Sequence, residues 1–310
     1  TAIRNRLEKQ DVYTTRKIPD LRRLGCEIIN ITHTEYNPIT PYSIRKTRKD
    51  ENPNIFFEIQ THTQRLSISA EKNYTEARRK LEEHIANGCV KEYFSRDDVK
   101  TIIFPLPISK VFMFFDYSVL MRKHFGLEAD TNIICDAEIR ITKPYEFERN
   151  EKRVYHALIE NPAMRETKLA ETLSMSRGSI HDMCQRFREE ALFRTVRIPD
   201  LEKLGFEMIV FNHITLNPQL RIKDRKPNIE RALNDGNHIM IIAGDMESSS
   251  LLAFRSYTEF QDIFKHLTEF GRKRGYLKQD PTPILFPFDD MQYFMKARFG
   301  KLVGNLLNVN

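Results

Sequence analysis

The sequence predicts an α+β protein in which winged helix-turn-helix domains alternate with ferredoxin-like βαββαβ domains, and three observations lead there. The phrase I-P-D-L-x-x-L-G-x-E is written twice, at residues 18–27 and 198–207, at an offset of 180. Each copy is followed by the same order of apolar patterns, strand, helix, two strands, helix, strand, which is the ferredoxin-like unit. Between the copies, residues 147–193 carry three short helical patterns and then a strand, the order of a winged helix-turn-helix.

The repeat extends well beyond the phrase. Residues 6–21 lie on 186–201, residues 74–85 match 257–268 at an offset of 183, and 102–107 match 284–289 at 182. Such drift is what small loop insertions produce, and two units of this size imply a tandem duplication, because solenoid repeats are roughly 20–50 residues long and recur at least three times. The expected division is the end of a first winged helix-turn-helix at 1–17, a first ferredoxin-like sensor at 18–146, a complete winged helix-turn-helix at 147–197 and a second sensor at 198–310.

In the second copy, "EMIVFNHI" (207–214) reads as a strand, "PNIERALND" (227–235) as a helix, and "HIMIIAGD" and "SLLAFRS" as two strands joined by a tight turn. In the long helix that follows (258–274), Phe260, Ile263, Phe264, Leu267 and Phe270 recur at spacings of 3 and 4, which predicts one buried stripe. The strand "PILFPF" (283–288) comes next. The first copy has the same order, with a weak first helix at 40–53 that is polar and bounded by prolines. Each copy ends in an apolar run, 110–125 and 290–307, expected to be an extra helix for packing or dimerisation.

Composition bounds the function. With hydrophobic residues at 40% and charged residues at 30% the chain has enough apolar mass for a core, and its apolar runs fall far short of the roughly 20 residues of a membrane span. The opening "TAIRNRLEKQ" is charged where a signal peptide would be apolar, so a cytoplasmic location is expected. Cys26, Cys89, Cys135 and Cys184 are scattered without C-x-x-C spacing and read as reduced, partly buried thiols. A net charge of +6 permits a polyanionic partner. No metal, cofactor or membrane is expected.

Within 147–193, Val154 and Leu158 mark the first helix, Leu169 and Leu173 the second, and Ile180, Met183 and Phe187 the third, with Ser176 placed as its N-cap. Burying that stripe turns Arg177, Gly178, Ser179, His181, Asp182, Gln185 and Arg186 outward. The N-terminal end of such a helix favours phosphate and enters the major groove of double-stranded DNA, where Arg can pair with guanine, Gln with adenine and Asp with cytosine. Arg194 and Arg197 in the wing would contact phosphates. Since Thr1 aligns with His181, the first copy keeps only the end of a recognition helix (Ala2, Asn5, Arg6) and its wing (Arg16, Lys17).

The stretch "LSMSRGSIHDMCQRFREEALFRTVRIPDLEKLGF" resembles the recognition helix, wing and D-x-x-x-L-G hinge of the Lrp/AsnC (feast/famine) transcription regulators, and "AGDMESSSLLAF" is similar to that family's effector-sensing hairpin. The resemblance implies a sequence-specific DNA-binding transcription regulator with two linked reading heads that forms a homo-oligomer, typically a dimer. It also implies an amino acid or related metabolite as effector, held near Gly244, Asp245, Glu247 and Ser248. The first copy departs from the pattern, with "QTHTQR" (60–65) at the effector turn.

The competing reading is a regulatory or assembly protein whose winged helices bind a protein partner, since segment 149–200 carries only 10 basic against 8 acidic residues. Enzymatic activity is not expected, because the sequence has no G-x-x-x-x-G-K, H-E-x-x-H or G-x-S-x-G motif.

Overall fold

The computed structural model describes residues 10–40, 52–127, 143–219, 230 and 236–309. Strands β1 (Tyr13–Pro19), β2 (Ile28–Glu35), β3 (Ile55–Gln60) and β4 (Gln64–Glu71) lead into helix α1 (Tyr74–Val90), then β5 (Val99–Pro105), β6 (Lys110–Phe114) and α2 (Ser118–His124). Helices α3 (Arg149–Glu160), α4 (Glu166–Leu173) and α5 (Arg177–Glu189) follow, then β7 (Phe193–Pro199), β8 (Met208–Thr215), β9 (His238–Ala243) and β10 (Glu247–Phe254). The chain closes with α6 (Tyr257–Lys273), β11 (Ile284–Pro287), β12 (Tyr293–Met295) and α7 (Gly300–Leu307). The helices expected within 40–53 and at 227–235 fall almost wholly outside the described residues.

The repeated phrase forms the same turn twice. Gly25 and Gly205 both adopt φ +79°, a left-handed conformation that a side chain disfavours. The Cys26 N–H donates to Leu21 O at 2.9 Å and the Phe206 N–H to Leu201 O at 3.0 Å, so each glycine ends one turn of chain. Just ahead, the Asp20 N–H donates to Leu192 O and the Asp200 N–H to Val12 O, each at 2.8 Å. I-P-D-L-x-x-L-G is therefore the corner at which the chain leaves β1 or β7 and enters a five-stranded sheet.

The residues group into two compact units, Thr15–Leu106 with Ile141–Val196 and Met291–Asn310, and Thr1–Thr14 with Pro107–Arg140 and Arg197–Asp290. The former holds a five-stranded antiparallel sheet in the order β12-β3-β4-β2-β5, and the latter one in the order β6-β9-β10-β8-β11. Four strands of each have ferredoxin-like order, and the fold is α+β. The fifth strand corrects the expected terminal helices: only Ser118–His124 and Gly300–Leu307 are helical, whereas β6 pairs with β9 (Lys110 opposite Ala243) and β12 with β3 (Tyr293 opposite Gln60). A short apolar run does not distinguish strand from helix by period, and the otherwise bare edges of β3 and β9 decide the outcome by offering hydrogen bonds.

In the second sheet, Met208, Val210, Leu252, Phe254 and Phe260 form an apolar layer with Ile263, Phe264 and Leu285 packed against it. The α6 stripe is less buried than expected: Phe260 is buried, while Ile263, Phe264, Leu267 and Phe270 are half-buried. All but Phe270 line an apolar cavity of about 100 Å³ between helix and sheet.

Helices α3 to α5 enclose Val154, Tyr155, Leu158, Leu169, Ile180, Cys184 and Phe187, all buried. Cys184 takes the position expected for Met183, which is half-buried, because it continues the i, i+4, i+7 row from Ile180 to Phe187. The Tyr155 ring meets Phe187 edge-on at 5.3 Å and its hydroxyl donates to Leu192 O at 2.7 Å, tying the core of the helices to the start of β7.

Candidate functional site

Three places bear on function: the outer face of α5, the β9–β10 turn and the space between α1 and the first sheet. On α5 the Ser176 hydroxyl accepts from the Ser179 N–H at 3.1 Å, which caps the helix and leaves Arg177, Gly178 and Ser179 exposed at its start. His181, Asp182, Gln185 and Arg186 are also exposed, as are Arg194 and Arg197 on β7. Many of these groups already have partners within the chain. Arg186 Nη1 donates at 2.7 Å to Glu151, a carboxylate 2% exposed that also receives the Tyr145 hydroxyl. His181 and Arg188 both meet Glu166, at 3.1 and 2.5 Å, Gln185 donates to Glu189 at 2.8 Å, and the Arg197 guanidinium lies 5.8 Å from the Tyr13 ring centre. Arg186 and Arg188 are thus matched by carboxylates, which lowers their attraction for phosphate.

Of the first-copy residues, Ala2, Asn5 and Arg6 lie outside the described residues. Lys17 Nζ donates to Pro162 O at 2.7 Å, and Arg16 lines a cleft with Arg298.

At the β9–β10 turn the Gly244 N–H donates to Glu247 O at 2.8 Å, and the Ser248 hydroxyl donates to Ile242 O at 3.0 Å. The Glu247 carboxylate lies 3.6 Å from His213 Nε2, and burial raises its pKa above the usual carboxylate range. A side chain added at Gly244 would make only ordinary contacts, so the turn itself does not demand glycine. Ser248 also lines the apolar cavity under α6.

The third place was not apparent as a site in the sequence. A cavity of about 440 Å³ lies between α1 and the first sheet, with Asn30, Thr32, Ser67 and Ser69 on its floor and Lys80, His84 and Asn87 along the helix. The floor corresponds strand for strand with the apolar layer of the second sheet. Asn30 pairs with Ser69 across β2 and β4, as Val210 pairs with Leu252 across β8 and β10, and Glu71 opposite Ile28 replaces Phe254 opposite Met208. On the helices, at the offset of 183, Lys80 stands for Ile263, His84 for Leu267 and Asn87 for Phe270. One half therefore has a polar chamber where the other has a hydrophobic core.

The chamber is ordered by charge pairs. Glu71, 1% exposed, accepts from Lys80 Nζ at 2.7 Å and from Asn54 Nδ2 at the same oxygen. Burial nevertheless raises its pKa against the opposing effect of both partners. Arg65 at the rim donates to both Glu58 oxygens, each at 3.0 Å, and stays charged. Among the described residues the Asn30 Oδ1, in a residue 8% exposed, accepts no hydrogen bond, an arrangement that costs free energy unless something else supplies a donor. The difference between the copies at matched positions was visible in the sequence, although the likeness between them drew attention first.

Cysteine chemistry is not prominent: burial pushes the Cys26 thiol up to about 12 and Cys184 to about 11, so both resist forming thiolate, and Cys135 is outside the described residues. Among the described residues no helix is long and apolar enough to cross a membrane, and no cluster of His, Cys, Asp and Glu has metal-holding geometry.

No protein-family model and no curated protein matches the sequence. Among solved structures, the siroheme decarboxylase NirDL in co-complex with an iron-uroporphyrin III analogue aligns over 99% of this chain and 87% of its own, with TM-score 0.52 and 9% identity. An AsnC family transcriptional regulator from Agrobacterium tumefaciens aligns over 48% of this chain and 94% of its own, with TM-score 0.40 and 16% identity. For E. coli AsnC the figures are 46%, 93%, 0.38 and 16%. The chain has helix-turn-helix plus ferredoxin-like sheets, the fold it shares over its full length with the decarboxylase structure. The expectation that it is not an enzyme is corrected here, because over its full length it shares this fold with a decarboxylase. The absent motifs belong to phosphate-loop, zinc-protease and serine-hydrolase chemistry, whereas loss of CO2 calls for a desolvated carboxylate, an electron sink in the substrate and a proton donor.

Proposed function

We propose that the chain binds a carboxylate-bearing small molecule in the polar chamber of the first sheet and decarboxylates it. The observation that carries this reading is the matched exchange of Val210, Leu252, Phe254 and Ile263 for Asn30, Ser69, Glu71 and Lys80. A chamber of about 440 Å³ is within the usual range for a ligand site. Lys80 and Arg79 supply positive charge for a carboxylate, and Asn30 and the floor hydroxyls supply polar contacts. Glu71, which holds its proton more readily than an ordinary carboxyl, is the proton source. When the C–C bond breaks, CO2 leaves, the electron pair remaining on carbon takes the Glu71 proton, and solvent restores it.

The full-length structural neighbour makes a carboxylated tetrapyrrole the first substrate to test. Wild-type chain titrated with iron-uroporphyrin III should shift the tetrapyrrole's absorption band to saturation, and Lys80→Ala should weaken binding about tenfold, the order expected for one charge-assisted contact. With siroheme, mass spectrometry should show loss of CO2. Equal binding by wild type and Lys80→Ala would remove the chamber from the reading; binding without mass loss would leave a sensor instead of an enzyme.

A second reading is supported by the capped, exposed start of α5 with Arg177, Gly178 and Ser179. It is a sequence-specific DNA-binding regulator of duplicated architecture, divided at 1–17, 18–146, 147–197 and 198–310, working as a homodimer. It reads through Ser176, Arg177, His181, Asp182, Gln185 and Arg186 with the wing at Arg194 and Arg197, and is tuned by an amino acid near Gly244, Asp245, Glu247 and Ser248. Selection from random duplexes at two salt concentrations tests it. An enriched motif lost in Arg177→Ala supports DNA reading, and sequence-blind binding that vanishes with salt rejects it.

A further inference from the structure

A second cavity, of about 420 Å³, lies on the same compact unit and is lined by a different set of charges: Arg16, Lys17, Glu58, Glu160, Arg298 and Lys301. Its walls come from β1, the end of α3, β12 and the start of α7. Four cations thus face two carboxylates, and one carboxylate is already committed, since Glu58 is held through both oxygens by Arg65. Glu160 acts on Arg16, while Lys17 is also acted on by Glu166.

Arg16 is the unusual member. Its Nη1 donates to the neighbouring Thr15 O at 3.4 Å, and its buried Nε has no partner among the described residues. Arginine normally uses its donors as a fork against a carboxylate or phosphate, and a buried Nε left without an acceptor is costly. Burial, with Arg298 beside it, also pulls the Arg16 pKa down against the opposing effect of Glu160. The wall opposite has been kept narrow: a side chain at Gly300 would collide with the Glu160 carboxylate, so that carboxylate sits against the α7 start, where anions are favoured.

From this we propose that the cleft lined by Arg16, Lys17, Arg298 and Lys301 is an anion site, built for a phosphate or diphosphate group on a small molecule. Arg16 presents its fork from the floor, Arg298 is exposed at the rim, and Lys17 is oriented by the Pro162 carbonyl. The bound group supplies an acceptor for the buried Arg16 Nε and negative charge beside Arg298. The site is distinct from the chamber under α1 and does not rest on the decarboxylase reading.

The test uses the full chain and inorganic pyrophosphate, followed by calorimetric titration. Saturable one-site binding is expected in wild type. It should weaken about tenfold in Arg298→Ala, whose side chain is at the rim and not in the core, and also in Arg16→Lys, which keeps the charge but loses the fork. Lys80→Ala, in the other cavity, should bind pyrophosphate as wild type does, so failure of the chamber reading and failure of this one are separable. Absence of saturable binding in wild type, or binding unchanged by Arg298→Ala, overturns the proposal. So does an Arg298-dependent signal produced by duplex DNA and not by pyrophosphate, which would make the cleft a contact for a nucleic-acid backbone.

Discussion

Asn30 lies opposite Ser69 at the centre of the first sheet, on the face turned toward α1, where the second sheet has Val210 opposite Leu252. An apolar pair there would stabilise the protein more simply, so the polar pair marks a place where packing has been given up for contact with something else.

Asn30→Val combined with Ser69→Leu should therefore raise the melting temperature, because it removes an acceptor with no hydrogen bond among the described residues and fills space with apolar groups. The same variant should lose the tetrapyrrole response. Thermal unfolding and absorption titration on one sample check both outcomes, and a lower melting temperature would mean that the polar floor is needed for folding.

Gly25→Ala and Gly205→Ala should each destabilise by about 1–2 kcal/mol, the cost of putting a side chain into the left-handed region. Both glycines have φ +79°, and neither has a close neighbour that would add a steric term, so the two costs should be similar. Denaturant midpoints measure them.

Stability should fall as the pH drops from about 7 to 5. Burial lowers the pKa of His33 and of His213, so the unfolded chain, with histidine near its ordinary value of about 6.5, binds protons that the folded chain refuses. The stabilisation from keeping these rings neutral is complete above the unfolded value and is lost as pH falls below it. A double His33→Asn, His213→Asn variant should show a flatter dependence of melting temperature on pH over that window.

Much of the fold was legible because it depends on local rules applied twice. The D-x-x-x-L-G corner needs a glycine with positive φ, Ser176 caps α5 through its own hydroxyl, and the Ile180 row follows the helical period. What was not legible depends on long-range pairing. Nothing in "KVFMF" states that it pairs with residues 240–243, nor does "YFM" announce residues 58–60. The outward face of α5 was read correctly as exposed, but its pairing to Glu151 and Glu166 depends on tertiary placement. The chamber lies where two similar copies disagree, and His84 or Lys80 alone looks like an ordinary residue on a polar helix.

The strands β6 and β12 make neither half of the sequence self-sufficient. A fragment ending near residue 146 carries β6 but lacks the strand that borders β3, and a fragment beginning there carries β12 but lacks the strand that borders β9. Produced separately, each would expose a sticky sheet margin and tend to aggregate. Produced together, they should reassemble without a covalent link, as split reporters do, each supplying the missing edge of the other's sheet.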